Sequence, residues 1–173
     1  MKTINDLTLL GSGATANVYL YDNDKILKLF NKSYDLGSVE YESKIAQEVN
    51  KSNIKAPRYN QTIQVNDQYG IIYEYISGDL LVSLLLKSSL SQGISLIKEL
   101  AKTQLSINAV NNRNITTQID RLSYLINRAT NIDQYKDELI SGLRLLKQDC
   151  FICHGDLHAG NVIVNNSCFI TID

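Results

Sequence analysis

The residues of this chain best suited to chemistry lie near its C-terminal end, between His154 and Asn161. Asp156 offers a carboxylate that can accept a proton, and Asn161 offers an amide oxygen that can bind a hard metal ion. In phosphoryl transfer, a carboxylate beside the attacking hydroxyl accepts its proton, while an amide oxygen holds magnesium against the nucleotide oxygens. The run therefore predicts a phosphotransfer loop with Asp156 as catalytic base, entered from a strand expected at Cys150 to His154.

A hairpin predicted after this loop brings a second acidic residue to it. Val162 to Val164 is expected to be a strand, and Cys168 to Ile172 alternates in the manner of another strand. The turn signal at Asn165 to Ser167 folds the second strand back on the first. Asp173 should then lie beside Asn161, and we predict that these two residues are the magnesium ligands.

A glycine-rich run near the N-terminus supplies a predicted phosphate loop. It contains Gly11, Ser12, Gly13 and Val18, and its small residues let backbone N–H groups approach phosphate oxygens. A dinucleotide-binding motif would need the turn to open a helix. The sequence continues after Val18 as a strand, so we reject that alternative.

Lys28 lies on the apolar face of the next predicted strand, because residues two apart share a face. Such an ammonium group needs an anionic partner, unless it reaches water from an edge strand. In a helix predicted from 39 to 51, helical spacing puts Glu42 on the inward face, whereas Glu40 and Glu48 are expected to face solvent. We therefore predict that Glu42 pairs with Lys28.

The remaining elements are a hairpin and a set of helices. The hairpin joins Thr62 to Val65 with Gly70 to Ile76 around a turn at Asn66 and Asp67. Helical apolar spacing follows in three segments, which we interpret as packing stripes. They are 97–105, 119–129 and 135–146.

In their order along the chain, these motifs resemble those of a kinase. Protein kinases carry H-R-D-L-x-x-x-N, and here Gly155 replaces the Arg. The chain resembles the aminoglycoside phosphotransferase and choline kinase-like family, whose members carry H-G-D-x-x-x-x-N. The resemblance implies a two-lobed, protein kinase-like α+β fold. It also implies ATP and magnesium as cofactors, and transfer of the γ-phosphoryl group to a hydroxyl of a small molecule.

The resemblance also implies a division of the chain. Residues 1–76 would form a β-rich, ATP-binding N-terminal lobe, and 77–173 a partial, mainly helical catalytic lobe. The hinge would lie at about 74–79, where backbone groups of Glu74 and Ile76 would pair with adenine. Lys28 would contact the nucleotide phosphates and Glu42 would position it.

Two features leave alternatives open. Gly155 cannot pair with a phosphorylated loop as Arg does, which favours a small-molecule acceptor, although a protein acceptor stays possible. Family members continue beyond the residue that corresponds to Asp173 with further helices. The alternative is therefore a fragment of a longer protein, or a natural short form that binds nucleotide without catalysis, acting as an interaction module in which a partner protein or self-association covers the incomplete lobe. The identity of the acceptor is left open.

Composition and other patterns exclude several classes. A net charge of −1 gives no basic footprint for nucleic acid, and the apolar run at 80–86 is too short to span a membrane. No signal-peptide pattern opens the chain, so the cytoplasm is expected. The motif C-x-x-C-H at Cys150 to His154 is that of c-type haem attachment. We favour reduced thiols packed as small apolar groups, for these two cysteines and for Cys168.

Overall fold

A computed structural model describes residues 4–147 and 149–172 as an α+β protein with two sheets. The strands are β1 Thr8–Ser12, β2 Ala16–Asp22, β3 Lys25–Phe30, β4 Tyr59–Val65, β5 Gln68–Glu74, β6 Asp79–Leu80, β7 Val162–Asn165 and β8 Cys168–Thr171. The α-helices are α1 Leu36–Asn50, α2 Leu81–Lys87, α3 Leu90–Asn108, α4 Gln118–Arg128 and α5 Lys136–Arg144. The helical segments expected from apolar spacing are therefore present.

The first sheet is antiparallel, with the strand order β1-β2-β3-β5-β4. One of its faces packs against α1 through buried Phe30, Val39 and Ile71, and the other face buries Leu27 with its neighbours. The predicted hairpin is confirmed as β4 and β5, and Asn66 takes a positive φ of 55° in its turn. This sheet is the platform that carries Lys28.

Helix α1 begins at Leu36, three residues before the predicted start, because Asp35 caps it. The Asp35 carboxylate accepts a hydrogen bond of 2.7 Å from the Ser38 N–H. The same bond lowers the pKa of Asp35. Val39 and Ser43 then face the sheet, and the Ser43 hydroxyl lies 2.7 Å from that of Thr62 on β4. These contacts fix the face of the helix that presents Glu42 to the sheet.

The second sheet is small and has the order β6-β7-β8. The hairpin predicted after the His154 loop is confirmed as β7 and β8, with positive φ values at Asn166 and Ser167. Strand β6, which begins after Gly78, was not predicted. A Cβ on Gly78 would lie 2.5 Å from the Val164 carbonyl oxygen, so only glycine allows this close approach.

Three expectations about this part of the chain were wrong. Cys150 to His154 is not a strand, because Phe151 forms only an isolated bridge to Asn111. The stripes on α3 and α5 are largely exposed, as at Leu105 and Leu146, since helical spacing predicts a helix but not what covers it. Cys153 is exposed rather than packed, whereas Cys150 and Cys168 are half-buried, and all three are free thiols.

None of the helices in the described ranges is long and apolar enough to cross a membrane.

Candidate active site

An ion pair between β3 and α1 joins two of the predicted site residues. Lys28 Nζ lies 2.9 Å from Glu42 Oε1, and the two side chains are 13% and 32% exposed. The Tyr73 hydroxyl donates to the same Glu42 oxygen at 3.3 Å, and the Phe30 ring lies 5.4 Å from the Lys28 ammonium. The charges are thus compensated where apolar packing would otherwise penalise them. The predicted pairing of Lys28 with Glu42 is present.

The glycine-rich run forms the turn between β1 and β2. Gly11 and Ser12 lie on β1, Val18 lies on β2 opposite Gly11, and Gly13 begins the turn. Gly11, Ser12 and Gly13 are all exposed. A Cβ on Gly11 would meet no atom within 4 Å, so the protein's own packing does not require glycine there.

Asn31, which follows β3, holds this turn closed. Its backbone N–H donates to the Thr15 carbonyl and its side-chain amide donates to the Ala14 carbonyl, each at 2.9 Å. The Gly13 N–H donates to Ala16 across the turn at 2.8 Å. Sequence reasoning missed Asn31, because its partners are far away along the chain and no local pattern reports them.

In the stretch predicted as a hinge, two backbone N–H groups already donate hydrogen bonds to other parts of the protein. The Glu74 N–H donates to the Arg58 carbonyl at 2.9 Å, and the Tyr75 N–H donates to the Asp24 carbonyl at 2.8 Å. Strand β5 ends at Glu74, two residues before the predicted end at Ile76. An adenine ring would therefore have to pair with carbonyl groups of this stretch or with the backbone of Ile76.

The loop after His154 exposes the Asp156 carboxylate, which is 81% accessible. Gly155 precedes it with a φ of +87°, a conformation that side chains with a Cβ rarely adopt. His158 Nε2 lies 3.7 Å from Asp156 Oδ2, and His158 Nδ1 accepts a hydrogen bond of 3.0 Å from the Gly160 N–H. The loop therefore presents one carboxylate to solvent on a tightly turned backbone.

Asn161 is tied to the same loop through its side chain. Its Nδ2 donates to the Asp156 carbonyl at 3.0 Å, which fixes the direction of the amide oxygen. The Ile172 N–H donates to the Asn161 carbonyl at 2.9 Å, so the end of the hairpin lies beside Asn161. Asp173, the second predicted ligand, lies outside the described residues.

His154 enters the loop with a buried Nδ1 atom. This Nδ1 atom has no hydrogen-bond partner among the residues that the structure describes. Within the same ranges, no cluster of three or more His, Cys, Asp or Glu side chains is placed to hold a metal ion.

The expectation that Glu48 faces solvent was wrong. Glu48 is 8% exposed, and its carboxylate contacts Lys51, which directly follows α1, and two asparagines of the loop before α4. Helical spacing alone put Glu48 with Glu40 on the outer face, and Glu40 is indeed exposed. The burial of Glu48 arises because a remote part of the chain packs against the end of the helix.

An antiparallel sheet with a half-buried Lys–Glu pair, followed by helices and a His-Gly-Asp loop, is a protein kinase-like phosphotransferase fold. Residues 6–172 match the model of the phosphotransferase enzyme family. The chain belongs to this family. A search of curated proteins found no match.

Solved structures with the same fold are aminoglycoside phosphotransferases. The gentamicin complex of APH(2″)-IIa is 16% identical to this chain with a TM-score of 0.61. The alignment covers 98% of this chain and 64% of that one. The ADP-bound aminoglycoside phosphotransferase APH(2″)-Ib is 19% identical with a TM-score of 0.60, covering 98% and 65%. For APH(3″)-Id from Streptomyces rimosus ATCC10970 the values are 16%, 0.63, 96% and 70%.

At these identities the similarity shows the fold alone. The chain spans about two thirds of the length of these relatives, since the alignments cover 64% to 70% of them.

Proposed function

We propose that the chain takes part in ATP- and magnesium-dependent transfer of the γ-phosphoryl group to a hydroxyl of a small molecule. Residues 1–76 would form the ATP-binding lobe and residues 77–173 the catalytic lobe, joined by a hinge at about 74–79. This reaction needs ATP, and the cytoplasm is the compartment proposed for it. Membership of the phosphotransferase enzyme family supports the proposal.

The observation that carries the proposal is the Lys28–Glu42 ion pair. In protein kinases, a strand lysine reaches the nucleotide phosphates only when a helix glutamate holds it in place. Here the pair is 2.9 Å long and mostly withdrawn from water, which is the setting in which such a contact orients a side chain. Lys28 would bind the α- and β-phosphates, and Glu42 would position Lys28.

The glycine-rich turn supports a phosphate site beside this pair. The open space over Gly11 and the exposed backbone of Ser12 suit the approach of phosphate oxygens, and Val18 continues the strand beneath them. The tie from Asn31 keeps the turn closed. Pre-ordering of this kind lowers the entropic cost of binding a nucleotide.

Asp156 would act as the catalytic base. Its exposed carboxylate can accept the proton of an acceptor hydroxyl at the moment when the oxygen attacks phosphorus. The positive φ of Gly155 fixes the backbone before Asp156, and the hydrogen bond from the Asn161 side-chain amide fixes the Asp156 carbonyl after it. Most of the rate would come from this positioning.

Magnesium would be held by Asn161 and Asp173. The donor chemistry fits, because amide and carboxylate oxygens are ligands that magnesium accepts, and the hydrogen bond from Asn161 Nδ2 to the Asp156 carbonyl leaves the amide oxygen as the atom available to the ion. When bound, the ion would neutralise charge on the phosphate oxygens.

The acceptor class follows from the relatives and from Gly155. Structures with this fold are described with gentamicin and with streptomycin and ATP bound, so aminoglycosides are the first acceptors to test. Gly155 lacks the charge that would pair with a phosphorylated regulatory loop. This favours a small acceptor and an enzyme that is not switched by loop phosphorylation.

Substitution of the catalytic base tests this function. Asp156→Asn removes the proton acceptor and preserves size, so it should lower phosphate transfer by at least about 100-fold and leave ATP affinity within about 3-fold. Transfer is measured as ADP release over a panel of aminoglycosides, choline-like amines and sugars. Asp137→Asn, an exposed change on α5, is the matched control. Equal turnover of the two variants would refute the assignment of Asp156.

A second candidate is nucleotide binding without transfer. It is favoured by the exposed apolar side chains, among them Leu90 at 83% and Leu145 at 87%, which a partner protein or a second copy of the chain could cover. This candidate predicts ATP binding with no turnover for any acceptor of the panel. Turnover by the wild-type chain rules it out.

A further inference from the structure

Glu48 lies near the end of α1, on the same helix as Glu42. Among the residues that the structure describes, it is the only buried residue that carries a charge. Its Oε1 lies 2.6 Å from Lys51 Nζ, and its Oε2 accepts hydrogen bonds from Asn114 Nδ2 at 3.0 Å and Asn112 Nδ2 at 3.4 Å. We call Glu48, Asn112 and Asn114 the Glu48 link.

A buried carboxylate is stabilising only when its oxygens are satisfied. Lys51 supplies the compensating charge, but it caps the end of the same helix and is 68% exposed, so it cannot fix α1 relative to another element. The asparagines belong to a loop more than 60 residues later, at sequence separations of 64 and 66. The link therefore joins two remote parts of the fold.

The asparagine loop is bonded in turn to the segment that leads into the Asp156 loop. The Asn112 N–H donates to the Cys150 carbonyl at 2.9 Å, and the Ile152 N–H donates to the Val110 carbonyl at 2.8 Å. Asn111 and Phe151 form the bridge between these two bonds. Thus one short loop, 110–114, is hydrogen-bonded both to the Glu48 carboxylate and to the backbone that leads to His154.

Other contacts between α1 and the helices are more exposed. Asp35 lies 3.6 Å from Arg128 of α4 with both side chains more than half exposed, and the Arg121 guanidinium lies 4.0 Å from the Tyr41 ring. Exposed ion pairs contribute little to a fixed geometry. Glu48 is the contact whose carboxylate is buried, and it bonds α1 to Asn112 and Asn114.

We propose that Glu48 is a positioning residue that holds α1, and with it Glu42, in register with the segment entering the Asp156 loop. The physical link stands on the contacts above. Its catalytic consequence rests on the proposed function, because the phosphates bound by Lys28 must meet the hydroxyl bound at Asp156. A displacement of about 1 Å between reacting groups can cost about 100-fold in rate.

Four substitutions separate positioning from simple stabilisation. Glu48→Ala removes the acceptor, Glu48→Gln keeps an oxygen for the asparagines, and Glu40→Ala is a matched control on the exposed face of the same helix. Asn114→Ala removes the partner and provides a second test if Glu48→Ala does not fold. Nuclear magnetic resonance of the whole chain would follow hydrogen exchange of the Asn112 and Ile152 amides.

We expect Glu48→Ala and Asn114→Ala to speed exchange at these two amides by at least about 10-fold, with Glu48→Gln and Glu40→Ala close to wild type. Below the unfolding transition, kcat should fall by at least about 10-fold in the same two variants, with the ATP Kd changed by less than about 3-fold. The double variant Glu48→Ala/Asn114→Ala should be no worse than either single variant, because both substitutions remove the same interaction.

Unchanged exchange at Asn112 and Ile152 would overturn the proposal, and so would a lower Tm with an unchanged kcat. If the wild-type chain transfers no phosphate, the proposed function fails on that result alone, and the exchange rates still decide whether Glu48 holds the segment.

Discussion

At the scale of single residues, the candidate site depends on backbone conformation as much as on side-chain type. Asp156 is accessible because Gly155 turns the chain at a φ of +87° just before it. Reasoning from the sequence treated Gly155 only as the loss of an arginine charge. The structure adds that an arginine at this position would be conformationally strained, because its φ is positive. Backbone geometry is therefore a second reason for glycine, separate from the missing charge.

Gly155→Ala tests the role of this conformation. A Cβ there would meet no atom within 4 Å, so strain at positive φ is the only expected penalty. We expect a loss of about 1 kcal/mol in the free energy of unfolding, together with slower phosphate transfer. Urea denaturation measures the former.

The matched control is Gly142→Ala in α5, where the added Cβ also has open space but the backbone is helical. It should be neutral or stabilising by up to about 1 kcal/mol. Equal effects of the two substitutions would show that the turn at Gly155 is not strained by a side chain.

At the scale of elements, β6 connects the proposed hinge to the hairpin that follows the Asp156 loop. Asp79 and Leu80 pair with Val164 and Ile163. Gly78 allows this pairing because its Cα lies against the Val164 carbonyl. A two-residue strand thereby fixes where the chain crosses from the first sheet to the second.

Gly78→Ala should therefore destabilise more than other glycine substitutions. Its Cβ would lie 2.5 Å from the Val164 oxygen at a φ of 141°. We expect a loss of about 2 kcal/mol or more in the free energy of unfolding, because strain and overlap add. Gly93→Ala in α3, where a Cβ meets nothing within 4 Å, is the control in the same denaturation experiment. A shared midpoint for both variants would contradict this account of β6.

Local patterns predicted those elements whose cause is local. Strand alternation placed Lys28, helical spacing placed Glu42 facing it, and turn residues such as Asn166 located the hairpin of β7 and β8. Burial of Glu48 and the tie from Asn31 could not be predicted, because each depends on residues brought together only by the fold. The stripe on α3 that includes Leu105 was misjudged for the same reason.

At the scale of the whole molecule, the link at Glu48 makes stability depend on pH. The ammonium of Lys51, followed by the amide of Asn114, lowers the pKa of Glu48 from 4.5 to about 2. A carboxylate with a lower pKa in the folded state stabilises the fold above its unfolded pKa. That contribution is lost as the pH falls from about 4.5 to about 2.

Glu48→Gln should flatten this dependence, because the amide does not titrate. We expect the difference in Tm between wild type and Glu48→Gln to shrink as the pH is lowered from 5 to 3. Asp35 and Asp67 also have lowered pKa values, but they are present in both proteins and cancel in the difference. A difference in Tm that is constant over this range would show that Glu48 is not held as a charged group.

We propose that Lys28, held by Glu42, binds the phosphates of ATP. Calorimetric titration of ATP with magnesium into wild type and Lys28→Met tests it most directly, with Lys32→Met as control for an exposed lysine in an ion pair with Asp67. We predict that Lys28→Met binds ATP at least about 10-fold more weakly, or about 1.4 kcal/mol, and that Lys32→Met binds like wild type. Folded wild-type protein that binds no ATP, or a Lys28→Met variant that binds ATP as tightly as wild type, would contradict this role of Lys28.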